Sequence, residues 1–501
     1  MKRVRHGFGW EWAKRATACA AAALLAAAMT LLHRAGAEAE ARDMLAEAWR
    51  ARQEAIAADP VRQQEVTPGM MTVPYVDEDG IREQEMAVCT LQTEAGTMHY
   101  TAEVIGEPDA NGLYPLYIAL HGGGGGPAEG NNEQWIMMTG YYRETIASGI
   151  YVACRGMEDT WNTHFLDASY PMYDRLIEDM VALKNADPNR VYLLGFSAGG
   201  DGVYAIAPRM ADRFAAVNMS SGHPNGVSLL NVANLPFEIQ VGIRDYYSEE
   251  AMRSVRGAEF EGTLRAYHEK YGFGYPHRVL VHVPYGHNFN DSADPDGTDA
   301  VLTDPETFAR RAVDEDWLSM FLTVQEEACG AADVSSLSYA YGDDALDAPL
   351  RELITQGLGM ETDSRVDTNA VAYVSGFVRD PHPERLGWDL STRAKSRRDT
   401  GFYWLRADFS VDRGIIEASF DAETNTVTVR PEGVNGGFDI LIQPGMMDLS
   451  RPLTVAPPAG EWTCHPEADA ETAARSLAET GDPELAWVAV ISVGEDGKVQ
   501  E

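Results

Sequence analysis

Lysine is nearly missing from this chain. Only six occur in 501 residues, at positions 2, 14, 184, 270, 395 and 498, so arginine carries almost all the positive charge. Even so, 40 Lys+Arg face 77 Asp+Glu, for a formal net charge of −37. Phosphate backbones and anionic lipid surfaces are held by clustered cations, so this balance argues against nucleic acid and against an anionic membrane as partners. Cysteine is also scarce, with five residues at 19, 89, 154, 329 and 464. That is too few for a disulfide-built fold, although one or two bridges are allowed. Cys154 lies in a strand-like run and reads as a buried free thiol. No Cys or His spacing matches a zinc site. Low-complexity tracts and internal repeats are lacking, and the 45 % apolar and 23 % charged fractions are those of a globular chain. The length allows two to four domains, or one large α/β domain with an appendage.

The chain also lacks a comfortable membrane span. Its longest weakly apolar run, Ala16–Leu32, has 17 residues and is rich in alanine. Lys2, Arg3, Arg5, Lys14 and Arg15 precede this run, and Ala35-Gly36-Ala37 follows it. A basic start, an apolar centre and an A-x-A site predict a signal peptide over 1–37, which places the mature protein in the periplasm, the cell envelope or the medium. The alternative is a cytoplasmic chain whose Ala-rich start runs into the next helix. That helix is expected over 38–58, with Leu45, Ala48 and Trp49 on one face, and is ended by Asp59-Pro60 within a segment 38–69.

Residues 70–330 form the expected main domain. After alternating strands over 70–120, short apolar runs at Tyr114–Leu120, Ile150–Cys154, Val191–Leu194, Ala215–Met219, Phe237–Val241 and Val279–Val283 are separated by helical stretches at Tyr170–Asn185, Gly200–Met210 and Ala258–Tyr271. Nearly continuous apolar strands alternating with helices imply a doubly wound, mostly parallel sheet covered on both faces. Right-handed crossovers then bring the strand C-termini to one edge, where chemistry is expected. An acidic connector, 331–370, leads to a β-rich segment, 371–501. Its runs Val371–Val378, Gly401–Phe409, Ile415–Phe420, Thr426–Val429, Phe438–Ile442 and Val488–Val493 predict a small antiparallel β-domain.

The strongest chemical signal is Gly195-Phe196-Ser197-Ala198-Gly199, set between a strand and a helix. A turn this tight has no room for side chains flanking the serine. It lifts the Ser197 hydroxyl out at the sheet edge, over a helix N-terminus that favours developing negative charge. Upstream, His121 opens a run of five glycines, Gly122–Gly126, directly after a strand. No Lys-Ser/Thr follows, so a phosphate cradle is disfavoured and an oxyanion loop preferred. The two N–H donors are assigned to Gly123 and Ala198. A serine needs an imidazole base, and the imidazole needs a carboxylate to fix its tautomer. Asp245 and His287 each follow a strand on the same edge, and the order Ser197…Asp245…His287 is the one this architecture uses.

Other residues compete for these roles. His282 sits within a strand as a packing residue, and His121 is expected to steady the glycine loop. His164 and His223 follow strands and could line a pocket, with His223 and the aromatic Trp135 as the candidate substrate contacts. Asp201 lies on the wrong helix face for the acid, and Asp291 and Asp294 follow His287 too closely. The carboxylate-rich loop Asp291–Asp299 lacks a Glu at its closing position, so no metal site is assigned.

Several longer stretches resemble the α/β-hydrolases of the bacterial esterase and polyhydroxybutyrate-depolymerase-like (dienelactone-hydrolase-like) group. They are Gly195–Tyr204, Ala207–Asp212 and Gly222-His223-Pro224-Asn225, and later Pro381–Arg385, Trp388 and Phe402–Leu405. The resemblance covers about residues 90–325 and more loosely the β-rich segment. It implies Ser197 as nucleophile, Asp245 as acid and His287 as base, with no cofactor. Arg244, immediately before Asp245, departs from the expected small or acidic residue. Residues and resemblance together predict a serine esterase acting on a small or polymeric carboxylic ester. The alternatives are a prolyl-oligopeptidase-like serine peptidase, although its propeller is missing, and an inactive homologue that binds polymer or carbohydrate.

Overall fold

The computed structural model describes residues 35–224, 226–242, 245, 253–282, 286–288, 300–301 and 370–500. Most of the expected signal peptide, Arg244, the loop Asp291–Asp299 and the connector 331–369 lie outside these. Helix α1 covers 35–58 and α2 Pro60–Glu65, where Asp59 caps the helix by accepting from the Val61 N–H. Among the described residues no helix is long and apolar enough to cross a membrane.

Ten strands form the main sheet: β1 Gly69–Asp77, β2 Gly80–Thr93, β3 Gly96–Ile105, β4 Tyr114–Leu120, β5 Gly149–Cys154, β6 Ala186–Phe196, β7 Ala216–Ser220, β8 Phe237–Gly242, β9 His277–His282 and β10 Ala300–Val301. Their order is β1-β2-β3-β5-β4-β6-β7-β8-β9-β10. The six strands from β5 to β9 are parallel, and the outer ones antiparallel. This is the α/β-hydrolase architecture. From β4 the chain steps outward to β5, then returns across β4 to β6. The loops after β4 and β6 therefore flank a topological switch point, where α/β sheets open a crevice.

The same reversal divides the helices between the two faces. Helix α3 (Ala128–Tyr141) makes the outward step and packs Trp135 and Met138 on one face. Helices α4 (Ser169–Lys184), α5 (Ala198–Ile206) and α6 (Arg253–Tyr271) make the opposite steps and pack on the other. In α4, Tyr173, Leu176, Ile177 and Met180 recur at three- and four-residue spacing and are buried. Asn185 ends it in the left-handed conformation.

The run Val371–Val378, expected as a strand, is instead helix α7, Ala370–Ser375. Its Ala370, Val371 and Val374 form a buried stripe at helical spacing on the α3 face, and burying that stripe outweighs the strand preference of the valines. Beyond it lie two five-stranded sheets. One is built from β11 (Arg385–Asp389), β14 (Ile415–Asp421), β15 (Thr426–Glu432), β17 (Leu453–Ala456) and β18 (Trp462–Cys464). The other contains β12 (Gly401–Phe402), β13 (Leu405–Arg406), β16 (Phe438–Ile442), β19 (Ala489–Val493) and β20 (Val499–Gln500). Pairing is antiparallel except between β15 and β17, where Val427 faces Val455 in parallel register. The run Gly401–Phe409 breaks into two short strands because Tyr403 turns the chain with a φ of 53°.

This β-rich part shares one continuous core with the α4 face. Buried ion pairs tie the two together. Arg397 meets Asp174 of α4 at 3.2 Å and Asp212 at 3.3 Å, while Arg213 meets Asp482 at 3.3 Å. Burial raises the Asp174 carboxyl, but the charges of Arg397 and Arg213 outweigh it and hold the group below its usual range.

Candidate active site

Ser197 stands between β6 and α5 at φ 56° and ψ −117°, a backbone conformation that side-chain-bearing residues rarely adopt. Packing enforces it. The Ser197 N–H donates to the Ser220 carbonyl at 2.9 Å. A Cβ on Gly195 would stand 2.1 Å from the Gly199 carbonyl oxygen, and one on Gly199 would stand 2.0 Å from that of Leu120. The flanking glycines thus let the turn sink between β4 and β7 while the serine is pushed outward.

The three residues named from the sequence come together. His287 Nε2 lies 3.0 Å from Ser197 Oγ, and His287 Nδ1 lies 2.8 Å from Asp245 Oδ2. Asp245 is 5 % exposed and sits in a turn closed by its N–H to the Gly242 carbonyl. Its other oxygen meets Arg253 at 3.4 Å, so the arginine facing the acid comes from the start of α6. Ser221 donates to the His287 carbonyl at 2.8 Å, and the Phe196 ring lies 5.4 Å from the imidazole. Beneath them, His282 Nε2 bonds Gln240 at 2.7 Å, and Gln240 donates to Asn218 at 3.0 Å, a buried polar ladder across β9, β8 and β7.

The glycine loop abuts the serine, since a Cβ on Gly122 would lie 3.3 Å from Ser197 Cβ. Two buried histidines hold this loop. His121 Nε2 accepts from the Gly156 N–H at 3.0 Å, which leaves Nδ1 as the protonated nitrogen that donates to the Gly122 carbonyl. His164 Nε2 donates to the His121 carbonyl at 2.9 Å, and its Nδ1 finds no partner among the described residues. Burial lowers both imidazoles, His164 to about 4 and His121 well below its usual value. A trans peptide points its C=O and N–H in opposite directions. Fixing the Gly122 carbonyl therefore fixes the direction of the Gly123 N–H. Gly123 holds a φ of 95°, which suits glycine. The next N–H, of Gly124, is already donated to Asn131 Oδ1 at 2.7 Å.

The two candidate substrate contacts fare differently. His223 is half-buried in the loop after β7, and its N–H donates to Asp201 beside the serine turn. Trp135 is 1 % exposed, and its Nε1 donates to the Ala153 carbonyl at 2.9 Å. It packs α3 on the sheet and forms no wall of an open site. Asn131 and Trp161 border the glycine loop, with Asp159 bonded to Asn131, and none of the three carries a motif in the sequence. Asn131 bonds Gly124 at both N–H and carbonyl and also donates to Asp159 at 2.8 Å. No pattern in the sequence marks such contacts between separate loops. Cys89, Cys154 and Cys464 are buried, and burial pushes the Cys154 thiol up to about 12.

No family model matches the chain, and no curated protein is similar to it. Solved structures do resemble parts of it. A thermostable esterase is 18 % identical over 43 % of this chain, with a TM-score of 0.31, and the match spans 62 % of that esterase. LpqC, a poly(3-hydroxybutyrate) depolymerase from Bordetella parapertussis, is 19 % identical over 47 % of this chain and 89 % of its own, with a TM-score of 0.33. An acetyl xylan esterase from Aspergillus awamori is 12 % identical over 41 % of this chain and 95 % of its own, with a TM-score of 0.29. At these identities a likeness concerns fold alone.

Proposed function

We propose that the chain is a serine hydrolase that cleaves a carboxylic ester through an acyl-enzyme. The relay from Ser197 Oγ to His287 Nε2 at 3.0 Å and from His287 Nδ1 to Asp245 Oδ2 at 2.8 Å carries this reading. His287 takes the hydroxyl proton as Ser197 Oγ attacks the ester carbonyl, and Asp245 holds the Nδ1 proton and steadies the imidazolium. The tetrahedral oxyanion is held by the N–H groups of Gly123 and Ala198, the first aimed by the His121–Gly122 bond and the second at the start of α5. His287 returns the proton to the leaving alcohol. It then takes one from water as the water oxygen attacks the acyl carbonyl, and passes it to Ser197 Oγ as the carboxylic acid leaves. No cofactor enters these steps. The substrate is a small or polymeric ester, and the basic start, apolar run and Ala35-Gly36-Ala37 support its being met outside the cytoplasm.

A fluorophosphonate probe followed by peptide mass mapping tests this reading. The adduct is expected on Ser197, absent in Ser197→Ala, and slowed by about 10⁴-fold in His287→Ala. Labelling of another residue, or equal labelling in His287→Ala, overturns it. A series of p-nitrophenyl esters beside a peptide anilide separates esterase from peptidase.

A further inference from the structure

Trp161 is 69 % exposed, and among the described residues only Met70 is a more open large hydrophobic side chain. It nevertheless lies on the glycine loop. A Cβ on Gly124 would stand 2.8 Å from Trp161 Cε3, and one on Gly125 would stand 2.8 Å from its Nε1. Gly125 has no positive φ, so the indole above it explains the glycine there. The segment bearing Trp161 is also fixed. The Met157 N–H bonds the Thr163 carbonyl at 3.1 Å, and the Phe165 N–H bonds that of Asn162 at 2.8 Å. Asp159 accepts from Asn131 at 2.8 Å and from Arg155, which joins this segment to the glycine loop. One side of an aromatic plane is thus anchored and the rest left in water.

The platform stands on the reacting edge. Trp161 follows β5, the glycine loop follows β4 and Ser197 follows β6, and these are adjacent parallel strands. The α-carbons of Gly122 and Gly124 are at most about 7 Å apart. With the contacts at either end, the indole edge lies no more than about 16 Å from Ser197 Cβ, a span of at most about three sugar rings.

We propose that Trp161 is a stacking platform for a sugar ring, so that the substrate is an acylated glycan. This rests on the esterase reading above. An alkyl or polyester chain gains most in an enclosed apolar slot, whereas this indole is open and has exposed Glu158, Thr160 and Asn162 beside it in sequence. A pyranose offers an apolar C–H face to the indole and hydroxyls to such neighbours. The chain's net charge of −37 disfavours anionic rings.

The test uses the full chain carrying Ser197→Ala and an unacylated xylo-oligosaccharide, followed by calorimetry, so no hydrolysis is required. Binding is expected to weaken at least about tenfold on adding Trp161→Ala and to be largely kept with Trp161→Phe. Adding Gly125→Ala, which displaces the indole, weakens it as well. In the Ser197-containing chain, Trp161→Ala is expected to raise KM for an acetylated oligosaccharide more than it lowers kcat. Undiminished binding in Trp161→Ala, or no binding by the parent, overturns the proposal. So does a KM change confined to phenyl-bearing acyl esters, which assigns the platform to an aryl group. Fluorophosphonate labelling of Ser197 in the same preparation decides the esterase reading separately.

Discussion

Acid should loosen this protein through His164 at pH values where a solvated histidine would only gain charge. The imidazole is wholly buried beside His121, and burial moves it from 6.5 to about 4. The folded state therefore favours the neutral ring, while the unfolded chain takes up a proton near pH 6.5. This stabilisation is complete above pH 6.5 and is lost as pH falls to about 4. At about 1.4 kcal/mol per pH unit, the loss amounts to about 3 kcal/mol. His121 shifts in the same direction, chiefly through burial and then the nearby His164, and adds to the slope. Urea unfolding at intervals from pH 7.5 to 4 measures it. His164→Gln retains a donor for the His121 carbonyl but cannot titrate, so its stability curve should be flatter than the parent's by up to about 1.4 kcal/mol per pH unit within that window. Parallel curves for parent and variant between pH 6.5 and 4 would refute the reasoning.

Other perturbations have comparably direct outcomes. Arg397→Ala leaves buried Asp174 and Asp212 without a main partner and should cost about 3–5 kcal/mol by urea unfolding. Gly199→Ala drives a Cβ against the Leu120 carbonyl, so a loss of about 1–3 kcal/mol or more should accompany failure of Ser197 to take the fluorophosphonate. Glu178 is also raised by burial, but the charges of Arg398, Arg62 and Arg52 outweigh this and bring it down to about 2. Its contribution should be intact above pH 4.5 and decline toward pH 2, and Glu178→Gln should remove that decline from an acid titration followed by circular dichroism.

The sequence by itself determined the sheet and the serine turn. Central parallel strands such as Tyr114–Leu120 are buried on both faces and must be apolar throughout, and a turn with no lateral space must carry glycine on both sides of Ser197. Chain order and strand ends likewise named Asp245 and His287, because right-handed crossovers leave few positions on the reacting edge. The N–H of Gly123 could be nominated, but its aim depends on a bond from His121 to the Gly122 carbonyl. Tertiary structure alone decided what depends on distant partners. Val371 and Val374 became helical because a sheet face was there to bury their stripe. Trp135 was taken into the core, and Trp161, which carries no pattern of its own, was laid over the glycines. Local periodicity records which face of an element is apolar, whereas a contact between loops after different strands exists only once the sheet has brought those loops together.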